Sequence, residues 1–293
     1  MSLADQPELV SIHGGHSGQF CHHAEDSLED IVKAYIDKGY LWIGISEHIP
    51  PVDDRFLWPD EIEAGLDAKK LYENFSRYIS TCRELQRKYL SVIKIYVGFE
   101  TETCSGSEEF VKHLVQKFQP DYIVGSVHHV NDIGIDYSKR LYGIAARAAG
   151  GLDGLYRRYF DQQFEMINRL EPSVVGHFDL VRIFDPDYKS RLKKPDILKR
   201  IRRNLERIKI LGLILDFNVR ALLKGADEPY ISKPILLQAM ELGIPVAPGD
   251  DSHGVDTAGL NMEKGIRILQ SLGFETEWQR PSLKIRKKLA ANR

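Results

Sequence analysis

Short apolar, β-branched runs alternate with helix-periodic segments along almost the whole chain, and this alternation restricts the fold more than any single motif does. Residues 9–13 read as a first strand, after which Asp26 or Ser27 caps a helix with Glu29 and Asp30 in its first turn, ending at Gly39. Residues 42–46 form the second expected strand. A Pro- and Asp-rich loop over 50–60, long enough to be a lid, leads into an amphipathic helix over 68–89 and a strand over 92–99. Further strands are expected at 122–127, 174–176, 213–217 and 244–247. Between them lie helices near 108–118, up to 170, and near 197–211, 234–242 and 263–272. About seven strand–helix units is close to what a closed parallel barrel needs, so the expected class is α/β. No glycine-serine linker, internal repeat or composition break divides the pattern, and residues 1–293 are expected to form a single domain.

With 43% hydrophobic and 28% charged residues, a chain of 293 can bury a full core. Its formal net charge of -2 gives no bulk attraction to nucleic acid or to an anionic membrane, so neither is an expected partner. The basic stretch 284–293 reads as frayed, solvated surface. Cys21, Cys82 and Cys104 are too few for a disulfide framework. Residues 1–10 lack a charged-then-apolar signal pattern, and no apolar run approaches a membrane span, so a cytoplasmic location is expected. Oligomeric state is not legible.

Seven of the ten histidines fall where an apolar run has just ended, five of them within a residue or two of Cys, Asp, Glu or another His. Set against the strand order, His13 ends the first strand and His48 follows the second. Glu100 ends the third, His128 the fourth and His177 the fifth, Asn218 ends the sixth, and Asp251 and His253 follow the seventh. In a parallel barrel the carboxyl ends share one rim, so residues far apart in sequence meet in one pocket. Any one of these side chains alone reads best as a hydrogen-bonded or surface residue. Together they read as a polynuclear metal site: neutral imidazole suits Zn, Mn or Fe, and a carboxylate such as Glu100 can offer one oxygen to each of two ions. Cys21, one residue from His23's neighbour, is a weak thiolate candidate. His113, inside a helical pattern, reads as surface.

Segments 13–24, Glu47-His48, Gly98-Phe99-Glu100, Gly125-Ser126-Val127-His128, Gly176-His177-Phe178-Asp179 and Asp251-Ser252-His253 resemble the successive motifs of the PHP (polymerase and histidinol phosphatase) superfamily. Within it they are most similar to the monofunctional histidinol-phosphatases of histidine biosynthesis. The resemblance covers nearly the whole chain and implies a distorted (β/α)7, TIM-like barrel holding three divalent ions, zinc, manganese or iron. Carried over by position, it gives His13, His16, Glu100 and Asp251 to one ion, Glu100, His128 and His177 to a second, and His23, His48 and His253 to a third. The family usually opens Asp-x-His-x-His, whereas this chain has His13-Gly14-Gly15-His16. Two glycines give the backbone freedom to bring both rings onto one ion. Glu47 stands where Asp is common.

The reaction so implied is hydrolysis of L-histidinol phosphate by metal-activated hydroxide, without a covalent enzyme intermediate. The leaving alkoxide must be protonated or held by a metal, and the candidates to protonate it are a water or a ring such as His129, between which the sequence does not choose. Arg182 and Arg220 are candidate phosphate contacts, since guanidinium forks match phosphate geometry. Asn218, Asp179 and Glu102 are candidates to meet the rest of the substrate or to orient metal ligands. The same metals would also serve another small phosphate ester or a nucleotide, and a non-catalytic metal-binding barrel is a third reading.

Overall fold

The computed structural model describes residues 7–283, so the basic tail at 284–293 and the first six residues of the segment searched for a signal lie outside the described residues. Nine strands follow in chain order: β1 (Val10–Gly14), β2 (Trp42–Ile45), β3 (Lys94–Val97), β4 (Val124–Gly125), β5 (His129–Val130), β6 (Ile133–Gly134), β7 (Val174–Val175), β8 (Ile214–Asn218) and β9 (Val246–Gly249). They form a three-stranded parallel sheet, β1-β2-β3, a four-stranded parallel sheet, β4-β7-β8-β9, and the antiparallel pair β5-β6. Strands β1, β2, β8 and β9 are buried at every position, as expected for parallel strands covered on both faces. Between the sheets, Val124 N–H donates to the Phe99 carbonyl and Thr101 N–H to the Val124 carbonyl, both at 2.9 Å. At the other margin Asp251 N–H donates to the His13 carbonyl at 2.8 Å.

The helices form because their apolar positions repeat with helical period and their ends are capped. Ser27 Oγ accepts from Asp30 N–H at the start of the helix Leu28–Asp37, one of the two caps the sequence offered. Asp67 caps Ala68–Lys88, which lays Leu71, Phe75, Tyr78, Ile79, Cys82 and Leu85 along one face against the core. Tyr78 sends its hydroxyl from that face to the Gly98 carbonyl, 2.7 Å away, and so fixes the chain just before Glu100. Buried apolar residues form one cluster running from Val10 to Trp278. None of the helices among the described residues is long and apolar enough to cross a membrane.

Two segments differ from the expectations. The strand expected over 122–127 is only Val124–Gly125, and it is followed by the hairpin β5-β6, in which His129 pairs with Gly134 and Val130 with Ile133. Asn131 and Asp132 form the turn with φ of 51° and 64°, the left-handed pair that a two-residue hairpin turn demands and that Asn and Asp tolerate best. The loop 50–60 is not an open connector. It contains a 3-10 turn, Asp54–Phe56, and leads into a short helix, Pro59–Glu63, while Phe56 is buried and Trp58 stacks on His129 with ring centroids 4.7 Å apart. Gly134 permits this docking, because a Cβ there would collide with the Trp58 ring.

Candidate metal centre

His13 lies on β1, and the chain then turns through two glycines whose absent side chains are both required. Gly15 adopts φ +82°, and a Cβ on Gly14 would approach Asp250 Oδ1 and Tyr35 Oη to 2.7 Å. The turn brings the rings of His13 and His16 to 6.1 Å, centroid to centroid, despite the extra residue between them.

Glu100, just beyond β3 and almost fully buried, lies between two groups of histidines. On one side its Oε1 is 2.9 Å from His177 Nε2 and 3.4 Å from His128 Nε2, and those two nitrogens are 3.2 Å apart. Four ligands at zinc-like bond lengths of 2.0–2.2 Å occupy a tetrahedron with edges of about 3.3 Å, so these three atoms already have the spacing of one ion's ligands. On the other side Oε2 is 3.3 Å from His13 Nε2 and 3.4 Å from His48 Nδ1. His16 Nε2 is 3.3 Å from Asp251 Oδ1. The Nε2 atoms of His13 and His16, buried and without a hydrogen-bond partner, are directed at these carboxylates.

What the free nitrogens lack, the opposite ring nitrogens have. His13 Nδ1 faces Asp216 Oδ2 at 2.8 Å and His16 Nδ1 faces Glu47 Oε1 at 2.9 Å, so each carboxylate accepts the Nδ1–H and leaves Nε2 as the donor to a cation. His253 Nδ1 is held at 2.9 Å by the Asp251 carbonyl. Burial disfavours charge on His16, but Glu47 and Asp251 outweigh it and lift its pKa to about 9. Burial likewise works against ionised Glu100 and Asp251. The surrounding rings, led by His13 in both cases, nonetheless hold the two carboxyls well below the usual range. A pocket this rich in carboxylate takes up positive charge, as protons or as metal ions that replace them.

The remaining histidines have rings as close as those of the inner group, but their donor atoms fall into different groups. His23 and His253 have centroids 4.9 Å apart, and His23 and His48 5.3 Å. His23 is exposed. Donor atoms that lie within 4.8 Å of one another group His48 with Glu102 and His128, His253 with His16 and Asp251, and His23 with His16 and Cys21. The set His23, His48 and His253 is therefore a neighbourhood of rings, with Glu102 and Cys21 at its margins.

A cavity of about 240 Å³ opens over the ligands, bordered by His48, His177, Asp251 and His253, by Arg220 and Lys224, and by Trp58, Asp60, Asp136 and Tyr137. Arg220 sits as expected on its wall, with Nη1 donating to the Asp251 carbonyl at 2.8 Å. Arg182 does not line it. That guanidinium is buried, donates to Asp179 Oδ2 and to the Glu228 and Pro229 carbonyls, and packs over Tyr188 and Tyr230. Asn218 is fully buried as well: its amide donates to Asp216 and Asp251 and its Oδ1 accepts from Arg220 N–H, leaving it an orienting role toward Asp251. Asp179, spoken for by Arg182 and Ser232, also lies away from the cavity.

His129 is likewise displaced from the expectation. Side chains alternate along extended chain, so His128 points to the metal ligands and His129 the other way. It lines an adjoining cavity of about 50 Å³ beneath Pro51, Phe56 and Trp58, which shares His23, His48, Trp58 and Glu102 with the larger one, with Nδ1 3.1 Å from Glu102 Oε2. Its ring does not line the larger cavity itself. The anchors Asp216 and Glu47 went unassigned in the sequence, as did Lys224, Asp60 and Asp136. Asp216, a carboxylate inside the otherwise apolar run 213–217, carried a usable signal, as did Glu47 through its place beside His48. His113 is on the surface, as expected.

The PHP domain model matches residues 14–219. A Schizosaccharomyces pombe protein named probable histidinol-phosphatase is 35% identical over 269 residues, which span 90% of this chain and 87% of that protein. The histidinol-phosphatase of Saccharomyces cerevisiae is 29% identical over 86% of this chain and 85% of its own length. Among solved structures, histidinol phosphate phosphatase from Lactococcus lactis, complexed with zinc, L-histidinol and phosphate, superposes with a TM-score of 0.72 at 21% identity. That match covers 93% of this chain and 96% of the other.

Proposed function

This chain belongs to the PHP domain family and to its histidinol-phosphatase branch, and from that premise we propose how its centre hydrolyses L-histidinol phosphate to L-histidinol and phosphate. It is a phosphoric monoester hydrolase. The observation that carries the mechanism is Glu100, with Oε1 among His128 and His177 and Oε2 beside His13 and His48. Its two oxygens would hold two ions together. We assign His13, His16, Glu100 and Asp251 to one ion, Glu100, His128 and His177 to a second, and His23, His48 and His253 to a third, the loosest group. Zinc is the ion bound in the Lactococcus lactis structure, and manganese or iron suit the same imidazole–carboxylate donors. When bound, such ions polarise phosphoryl oxygens and lower the pKa of water.

The chain's own residues do the rest. Asp216 and Glu47 hold Nδ1 of His13 and His16, which aims each Nε2 at the ion site and makes it the more basic donor to a cation that replaces its proton. Asn218 holds the Asp251 carboxylate, and Arg220, tied to the Asp251 carbonyl, carries fixed positive charge on the cavity wall for the phosphoryl group. Exposed Lys224 adds a second cation there. We read the two parallel sheets as one distorted seven-stranded barrel and one domain. The hydrogen bonds that join β3 to β4 and the end of β1 to the segment after β9 support this reading, as does the single apolar cluster. Free Cys21, Cys82 and Cys104 fit a reducing cytoplasm, and the net charge of -2 fits a small-molecule substrate better than a nucleic acid.

The test uses protein stripped of metal and reloaded with zinc, manganese or iron, measuring phosphate release from histidinol phosphate, an aryl phosphate and a nucleotide monophosphate. The expected result is a preference of about a hundredfold or more in kcat/KM for histidinol phosphate. Comparable slow rates on all three would make the chain a generalist esterase. No turnover by fully loaded protein would leave a metal-binding barrel.

A further inference from the structure

The cavity over the metal ligands has two walls of opposite charge. On the Asp251 side stand Arg220 and Lys224, and on the His128 side stand Asp60 and Asp136, the latter near enough to His128 for its carboxylate to favour the charged form of that ring. Each of these two aspartates keeps one side-chain oxygen out of solvent with no hydrogen-bond partner, Oδ1 in both cases. A carboxylate oxygen left dry and unpaired costs free energy unless something cationic or hydrogen-bonding completes it. The geometry holding them there is specific. Asp60 opens the short helix after Trp58, whose ring stacks on both His129 and Tyr137, the latter at 5.5 Å with an interplanar angle of 9°. Asp136 follows the β5-β6 hairpin, which is pinned by Ile135 N–H donating to the His128 carbonyl at 2.9 Å. Loop 50–60 and hairpin thus lock together through Trp58 over Gly134, and each contributes one aspartate to the same wall.

A monoester anchored by its phosphate at the ions leaves its alcohol portion to reach this wall. Histidinol phosphate carries an ammonium and an imidazole there, whereas most small phosphate esters carry hydroxyls. Taking the substrate from the histidinol-phosphatase reading, on which the assignment rests, we infer that Asp60 and Asp136 are the specificity-determining pair. They accept the ammonium of the amino-alcohol, while the adjoining Trp58 and Tyr137 rings supply the aromatic surface beside it. The wall selects a cationic ester and gives a neutral one nothing to offset the two carboxylates.

The experiment compares wild type with Asp60→Asn and Asp136→Asn, which keep shape and hydrogen-bonding capacity and remove charge. Three substrates are used: histidinol phosphate, 3-(imidazol-4-yl)propyl phosphate, which lacks only the ammonium, and 4-nitrophenyl phosphate. Bound metal is measured in every sample. Each substitution is expected to lower kcat/KM on histidinol phosphate about 10- to 100-fold, chiefly through KM, while the two ammonium-free esters change less than about threefold and metal content is unchanged. Preference for histidinol phosphate over its deamino analogue that survives in both variants would overturn the inference. So would equal losses on all three esters, which would assign the aspartates to the ions or to the leaving group; should Asp136→Asn shed metal, Asp60→Asn alone decides. If wild type itself shows no preference for histidinol phosphate over the aryl ester, the substrate reading has failed before the aspartates are tested.

Discussion

Around Glu100 the donor atoms stand 2.9–3.4 Å apart among almost fully buried residues, whereas His23, His48 and His253 fall into three different groups of donor atoms, with His23 open to solvent. The supporting contacts differ in the same way. In the inner group Asp216 accepts from the His13 ring and, at 3.3 Å, from His177 N–H, so one buried carboxylate fixes a ligand on β1 and the backbone of another after β7. Among the described residues His23 has no carboxylate anchor of that kind, only the Cys21 thiol at 3.8 Å. The inner ligands sit on strand ends that the core already immobilises. Of the outer ones, His48 is held by a parallel β-bridge to Glu100, whereas His23 and His253 sit on loops, where gathering them costs conformational entropy at the moment the ion binds. The fold therefore preorganises one part of the centre and leaves the other to be completed by metal.

Substitutions can break this contrast, and Glu100→Gln is the most severe. The amide cannot offer two anionic oxygens, so at least one ion and activity on the order of a thousandfold or more are lost together, read by metal analysis beside phosphate release. Full activity in that variant would refute a bridging role. Asp216→Asn keeps the shape but weakens the anchor of His13, and metal affinity or activity falls about 10- to 100-fold. An unchanged metal titration would mean that the inner group is not held as described. His23→Ala sharpens the comparison from the other side: the inner ions stay, the most weakly held ion exchanges faster, and activity drops by about tenfold. Loss of all metal in that variant would erase the distinction between the two groups. The smallest kinetic effect belongs to Arg182→Met. With its guanidinium committed to Asp179 and two carbonyls, KM for substrate changes less than about threefold, while Tm falls by several degrees because those acceptors lose their donor. A large rise in KM at unchanged Tm would return Arg182 to the phosphate.

The same division governs how much of the site was legible. Strand-end positions predict His13, Glu100, His128 and His177 because burial, periodicity and chain order determine them, and the parallel sheets put those residues together. Their anchors are harder to see. Asp216 reads as an anomaly inside an apolar strand, but nothing in the local pattern says which ring it holds, 203 residues away. Arg182 and Asn218 look like rim residues by position, yet short-range contacts with Asp179 and Asp216 consume their polar groups. His129 was misplaced for a local reason: the Asn131-Asp132 turn creates a hairpin, and one step along extended chain puts neighbouring histidines in different cavities. The lid-like loop hides its role for the converse reason, since Trp58 and Asp60 acquire meaning only when docked on that hairpin.

Electron paramagnetic resonance of the manganese-loaded protein tests the central claim most directly, because a shared carboxylate makes two Mn(II) ions report on one another. The account predicts a spin-coupled pair in wild type that gives way to isolated-ion signals in Glu100→Gln. Isolated ions in fully loaded wild type, or coupling that persists in Glu100→Gln, would contradict it.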